Sequence, residues 1–184
     1  MSATGVSFMS VPFLPNSIVL IACVEKIVAN VNIDGVGIFY PAKDIVAYGA
    51  EHSSLGAFVE ESAKRLEFLI SPDPFPGETF FIRSDQYPFT KKGIPALFFF
   101  PGLQSADPEV DGAAFLQKCL TSIYHSPKDD MSQDFDFEEG ARVTRMNFLV
   151  GYLVAESQER PTWNPGDFFG EKFGRSQPSS EDPQ

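Results

Sequence analysis

Apolar residues along this chain gather in short continuous runs rather than in alternation. Ser17–Ala22 (SIVLIA), Ile27–Ile33 (IVANVNI), Ile45–Tyr48 (IVAY) and Ala96–Phe100 (ALFFF) are runs of this kind, the last stopped by Pro101 and Gly102. Such runs mark strands covered on both faces, as in a parallel or mixed α/β sheet. Between them the period lengthens to that of a helix. Leu55, Phe58, Val59, Ala63 and Leu66 recur at helical spacing behind Ser53 and Ser54, so a serine-capped helix is expected to run to about Phe68. A short helix is expected from near Asp85 to Gly93, because Lys91 and Lys92 suit a helix C-terminus and glycine the position just past it. Gly112–Ile123 is a third helix, and the longest runs from about Phe137 to Ala155. Strands alternating with helices predict an α/β sandwich.

One join conflicts with a parallel sheet. Only Cys23, Val24, Glu25 and Lys26 separate SIVLIA from IVANVNI. Parallel neighbours need a crossover of about a dozen residues or more, so these two runs form a hairpin or one bent strand. Past Gly174 the chain turns polar and rich in proline and serine (GRSQPSSEDPQ), which predicts a disordered tail.

Composition narrows the function. The 184 residues are 43% hydrophobic, enough for one domain with a sizeable core. Nineteen phenylalanines against one tryptophan imply a dense aromatic interior. The formal net charge of −11 argues against nucleic acid and against an anionic membrane surface, both of which select for clustered Lys and Arg. No apolar stretch reaches the roughly 20 residues that a membrane span requires. The first 23 residues carry no Lys or Arg, a poor fit to a signal peptide, and the sequence assigns no compartment. Cys23 and Cys119 each sit in an apolar segment and read as small buried thiols, with no Cys/His cluster to suggest a structural zinc finger.

Few residues remain to carry chemistry. Asp34 ends a strand, where α/β sheets place their sites, and it either opens a turn with Gly35 or ligates a metal. His125 lies in a loop beside Asp129 and Asp130 and is either a solvent-exposed histidine or a ligand. His52, next to Glu51, reads first as a polar helix start. The stretch FFIRSDQYPF places Arg83, Asp85, Gln86 and Tyr87 between aromatic flanks, as a capped helix or as the lining of a substrate pocket. Glu138 and Glu139 read as surface charges favouring a helix N-terminus.

Taken together, several separated segments resemble the C-terminal part of the di-zinc aminopeptidases of metallopeptidase family 28. They are NIDG (Asn32–Gly35), GAEHSSLG (Gly49–Gly56), RSDQYPFTKKGIPALFFFPG (Arg83–Gly102), IYHSPKDD (Ile123–Asp130) and ERPTWNPGDFFG (Glu159–Gly170), in the family's order. The resemblance covers roughly Glu25 to Gly174. It implies a three-layer α/β/α sandwich with a mixed, mostly parallel sheet, two zinc ions, and a peptide substrate cut at its N-terminal bond. By motif, Asp34 corresponds to a ligand of one zinc and His125 to a ligand of the other. Tyr124 corresponds to a residue that in some members helps stabilise the oxyanion, and Arg83, Asp85, Gln86 and Tyr87 stand as the candidate substrate-binding residues.

The departures shape the expectation as much as the matches. The family's upstream H-x-D motif has no counterpart, since no histidine or aspartate precedes Asp34. Its E-E motif, which supplies the general base, is also absent. Gly35 stands where an apolar residue commonly follows the ligand aspartate, and Gln86 replaces a histidine with an amide that cannot titrate. The short join suggests a chain that has lost peptide between about Cys23 and Val24, and everything upstream of the sheet's middle. One ligand per expected zinc falls short of the three protein ligands of a catalytic site. The expectation is therefore an atypical N-terminal segment (1–24), a partial peptidase domain (25–173) and a tail (174–184). Such a chain is related to zinc aminopeptidases but inactive alone, with a non-catalytic peptide-binding or oligomer-forming remnant as the alternative. An open sheet edge would favour self-association.

Overall fold

The computed structural model describes residues 6–9, 24–34 and 39–175. Its strands are β1 (Val6–Met9), β2 (Ala29–Asn32), β3 (Asp44–Tyr48), β4 (Leu69–Ser71) and β5 (Ala96–Pro101), ordered β1-β2-β5-β3-β4 in one sheet. β1 pairs with β2, β2 with β5 and β4 with β3 in parallel, whereas β3 runs antiparallel to β5. The sheet is thus mixed and mostly parallel. SIVLIA lies outside the described residues. The parallel neighbour of β2 is instead Val6–Met9, with residues 10–28 between them, chain enough for the crossover that parallel pairing demands.

Both faces of the central strands β2, β3 and β5 are buried, which is why these strands read as unbroken apolar runs. On one face Val31, Ile45, Ala47, Leu97 and Phe99 meet two helices, α1 (Leu55–Arg65) through Leu55, Val59 and Ala63, and α5 (Phe137–Glu156) through Val143, Met146, Val150 and Val154. Each of the larger side chains among these, withdrawn from water, contributes about 1.5–3 kcal/mol. On the other face Val46, Tyr48 and Phe98 are covered by Phe81 of α2 (Phe80–Arg83), Tyr87 of α3 (Tyr87–Thr90) and Phe169 of α6 (Phe168–Phe173). Helices on both faces make the three-layer sandwich.

The helix between Asp85 and Gly93 is shorter than its sequence suggests, because only Tyr87–Thr90 is helical, and a separate turn, Phe80–Arg83, precedes it. Gly93 closes the run at φ 74°, where a Cβ would come within 2.4 Å of the Phe173 carbonyl oxygen. Helix α4 (Gly112–Lys118) is capped by Asp111 and widens into a π-helical turn over Cys119–Ile123. In α1 the capping serines act differently from expectation. The Ser54 hydroxyl accepts from the Thr162 amide 108 positions away rather than from its own helix. Among the described residues no helix is long and apolar enough to cross a membrane.

Candidate functional site

The parallel pairing of β2 with β5 sets one pole of the sheet, past Asn32 on β2 and Phe98 on β5. Asp34 lies at this pole, two residues beyond the end of β2. His125 arrives there from far along the chain, after the π-helical turn that follows α4. The two are close enough for His125 to favour the charged form of Asp34. Even so, the Asp34 pKa is raised, first by burial against the surrounding chain and then by the like charge of Asp85. Tyr124 joins the same field. Its phenol is pushed up by burial and by Asp34, and Arg83 opposes that shift. The structure therefore brings Asp34, Arg83, Asp85, Tyr124 and His125 to one end of the sheet from three separate segments.

The local geometry of these residues differs. His125 is held at φ 56°, in the left-handed region, and its ring stacks on Tyr124 with centroids 3.8 Å apart. Both side chains are open to solvent. The Arg83 guanidinium bonds the Glu78 carbonyl and carboxylate oxygens, each at 3.0 Å, and stays largely exposed. Asp85 is exposed, whereas its neighbour Gln86 is fully buried. The Gln86 Nε2 donates to the Phe81 carbonyl at 2.7 Å, and its Oε1 accepts from Asn32 Nδ2 at 3.2 Å. Gln86 therefore turns inward, away from the face where a ligand would lie. Tyr87 packs edge-on against Phe169 with Lys91 above its ring, a structural contact more than a polar recognition group.

Among the described residues the donor set falls short of a zinc centre. No three His, Cys, Asp or Glu side chains among the described residues stand close enough together to hold a metal ion. A catalytic zinc takes three protein ligands and keeps a fourth position open.

His52 has no part in this pole. Because β3 runs antiparallel to β5, the chain leaving Tyr48 reaches the opposite end of the sheet. There His52 Nδ1 lies 2.7 Å from Asp167 Oδ2, with Glu51 at 3.5 Å and the rings of Phe81 and Phe169 packed around it. Asp167 also caps α6 by accepting from the Phe169 and Gly170 amides. His52 is thus a pin between α6 and the turn before α1. A concavity of about 1120 Å³ opens at this far pole between Val28, Ile94, Arg160 and Trp163, and contains none of the five residues gathered at the Asp34 pole.

Two acidic residues were misjudged or missed in the sequence. Glu139, read as a surface charge, is only 3% exposed. It lies 3.4 Å from the Arg142 guanidinium, which also bonds the Ala42 carbonyl and covers the Phe68 ring. Burial raises its pKa against the pull of Arg142. Asp44, which is not among the sequence candidates, is 2% exposed and accepts from the Ser71 hydroxyl at 2.6 Å and the Gln104 amide at 2.8 Å. A polar residue opening an apolar strand was the available signal. Cys119 is partly buried, its thiol pKa raised by burial and Asp129, and Cys23 lies outside the described residues.

Compared with known proteins, residues 20–150 match the family model described as Peptidase family M28. No curated protein and no solved structure matches the chain.

Proposed function

The chain belongs to peptidase family M28, a family of zinc-dependent peptidases, and we propose that it is a catalytically incomplete relative of the family's aminopeptidases that binds peptide ends without cutting them. The observation that carries this reading is the convergence of Asp34, Tyr124 and His125 with Arg83 and Asp85, unaccompanied by a third metal ligand among the described residues. Without a complete donor set among the described residues no metal-bound hydroxide is generated at neutral pH, and the Glu78 carboxylate near this pole is held by Arg83.

What the pole retains suits recognition. Asp34 and Asp85 provide negative charge for an α-amino group, Arg83 offers donors to a peptide carbonyl, and the stacked Tyr124–His125 pair provides an exposed aromatic surface.

The test combines metal counting with calorimetry. The folded chain is equilibrated with buffered zinc and the bound metal is counted by mass spectrometry, with Asp34→Ala and His125→Ala as controls. Short peptides with free and acetylated N-termini are then titrated with and without chelator. The expected result is sub-stoichiometric zinc, no aminopeptidase turnover, and peptide binding that needs a free amine and survives chelation. Two zincs per chain, lost in both variants and accompanied by turnover, would overturn the proposal.

A second reading rests on the sheet edge. Among the described residues β4 is an edge strand, and its Leu69 and Ile70 are 57% and 44% exposed. An apolar edge with free backbone donors and acceptors invites pairing with another copy, so we infer self-association through β4, to be measured by light scattering.

A further inference from the structure

Asn32 and Gln86 make a contact that the ligand-binding reading does not use. Asn32 is the last residue of β2 and Gln86 directly follows Asp85, and the two are 3% and 0% exposed. Their side-chain amides bond each other, and the second end of Gln86 bonds the Phe81 carbonyl. The Gln86 carbonyl in turn accepts from the Phe89 and Thr90 amides, so one residue ties α2, α3 and β2 together. This bridge is buried and uncharged, and an unmade hydrogen bond there leaves a group without solvent to replace it. It therefore holds its geometry firmly. The residues it spaces are two acids, Asp34 two positions past Asn32 and Asp85 one position before Gln86.

We propose that the Asn32–Gln86 amide bridge sets the separation of Asp34 and Asp85, making Gln86 a positioning residue rather than a ligand contact. Two like charges at the rim of a site repel, and backbone segments free to move would let them drift apart. The bridge prevents this from behind the acids, where no ligand reaches. A cationic group such as a peptide amine then meets a preformed pair instead of having to assemble one. The inference rests on reading this pole as the ligand-binding end.

The test is a double-mutant cycle of Asp34→Asn and Asp85→Asn, read by urea unfolding at pH 8 with neither metal nor peptide present. In the parent chain either substitution relieves the repulsion, so the double variant gains no more than a single one. The expected departure from additivity is about threefold or more in the unfolding equilibrium constant. The cycle is repeated in Gln86→Leu and in the shorter amide Gln86→Asn, which cannot span both partners. Additivity restored in either background supports the proposal. Coupling unchanged in a folded Gln86 variant overturns it. If neither variant folds, the bridge is a folding determinant, and the positioning role is likewise overturned. Because the cycle is run without ligand, its outcome is separate from that of the zinc and peptide titrations.

Discussion

Replacing His125 by glycine and by alanine separates what its side chain does from what its backbone endures. The residue sits at φ 56°. There a Cβ crowds the neighbouring carbonyl, and a non-glycine residue is strained by about 1–2 kcal/mol. Both variants lose the ring that stacks on Tyr124 at 3.8 Å, a contact contributing about 0.5–1.5 kcal/mol. The stacking loss cancels in the comparison, and only the backbone term differs. Glycine is the more flexible residue in the unfolded chain, which by itself would favour the alanine variant by about 0.5–1 kcal/mol. The left-handed geometry outweighs that, so His125→Gly should be the more stable of the two by about 0.5–1 kcal/mol. With urea dependences of about 1–3 kcal/mol per molar, the midpoints should differ by about 0.2–1 M. Glu67, at φ 57° just past α1 and remote from any chemistry, serves as the control and should show the same ordering. An alanine variant at least as stable as glycine at position 125, with glycine ahead at 67, would show that the Tyr124–His125 turn is not left-handed. The case for a strained site residue would then fall.

Other outcomes follow from the buried acids and the open edge. Asp44→Ala removes two short carboxylate bonds worth about 1.5–3 kcal/mol each and should lower stability by about 3–5 kcal/mol in urea, whereas Asp44→Asn keeps an acceptor for Gln104 and should lose about 1 kcal/mol. A small effect of Asp44→Ala would remove this carboxylate from the list of elements holding β3 to its neighbours. Glu139, its folded pKa raised above the ordinary 4.5 by burial, gives stability that is full below that value and lost as pH rises through the folded pKa. Urea midpoints measured from pH 4 to 8 should show this decline in the parent chain and a flatter profile in Glu139→Gln, and identical profiles would refute the assignment. Ile70→Lys places a charge on the β4 edge and should shift light scattering toward the monomer, and a parent chain that is already monomeric would end the self-association reading.

Much of the fold is written in periodicity. Ile45–Tyr48 and Ala96–Phe100 are strands because their alternate residues serve two different cores, so every position is apolar. The long helix from Phe137 is marked by its inward stripe and the Asp136 cap. What escaped is held by tertiary contact. Leu69–Ser71 is three residues long and largely exposed, and it becomes a strand only by pairing with β3. Phe168–Phe173 contains a glycine and is made helical by the Asp167 cap and by packing against Trp163. At the candidate site, motif order singled out Asp34 and His125. Their meeting depends on the intervening ninety or so residues winding through three strands, which spacing alone does not reveal. Glu139 was misjudged because its i+3 partner, Arg142, is as unremarkable in sequence as any surface pair until the Ala42 segment folds over it.

The reversal of β3 has a practical outcome for anyone observing this chain in solution. It holds two histidines, and the sheet separates them to opposite poles, one stacked in the open on Tyr124 and one wedged between Asp167 and two phenylalanine rings. A carbon-detected imidazole spectrum therefore contains two signals in unlike surroundings, assignable by a single substitution. A metal or peptide arriving at the Asp34 pole moves one and leaves the other still, so the molecule carries its own reference against which binding, pH drift and unfolding can be told apart.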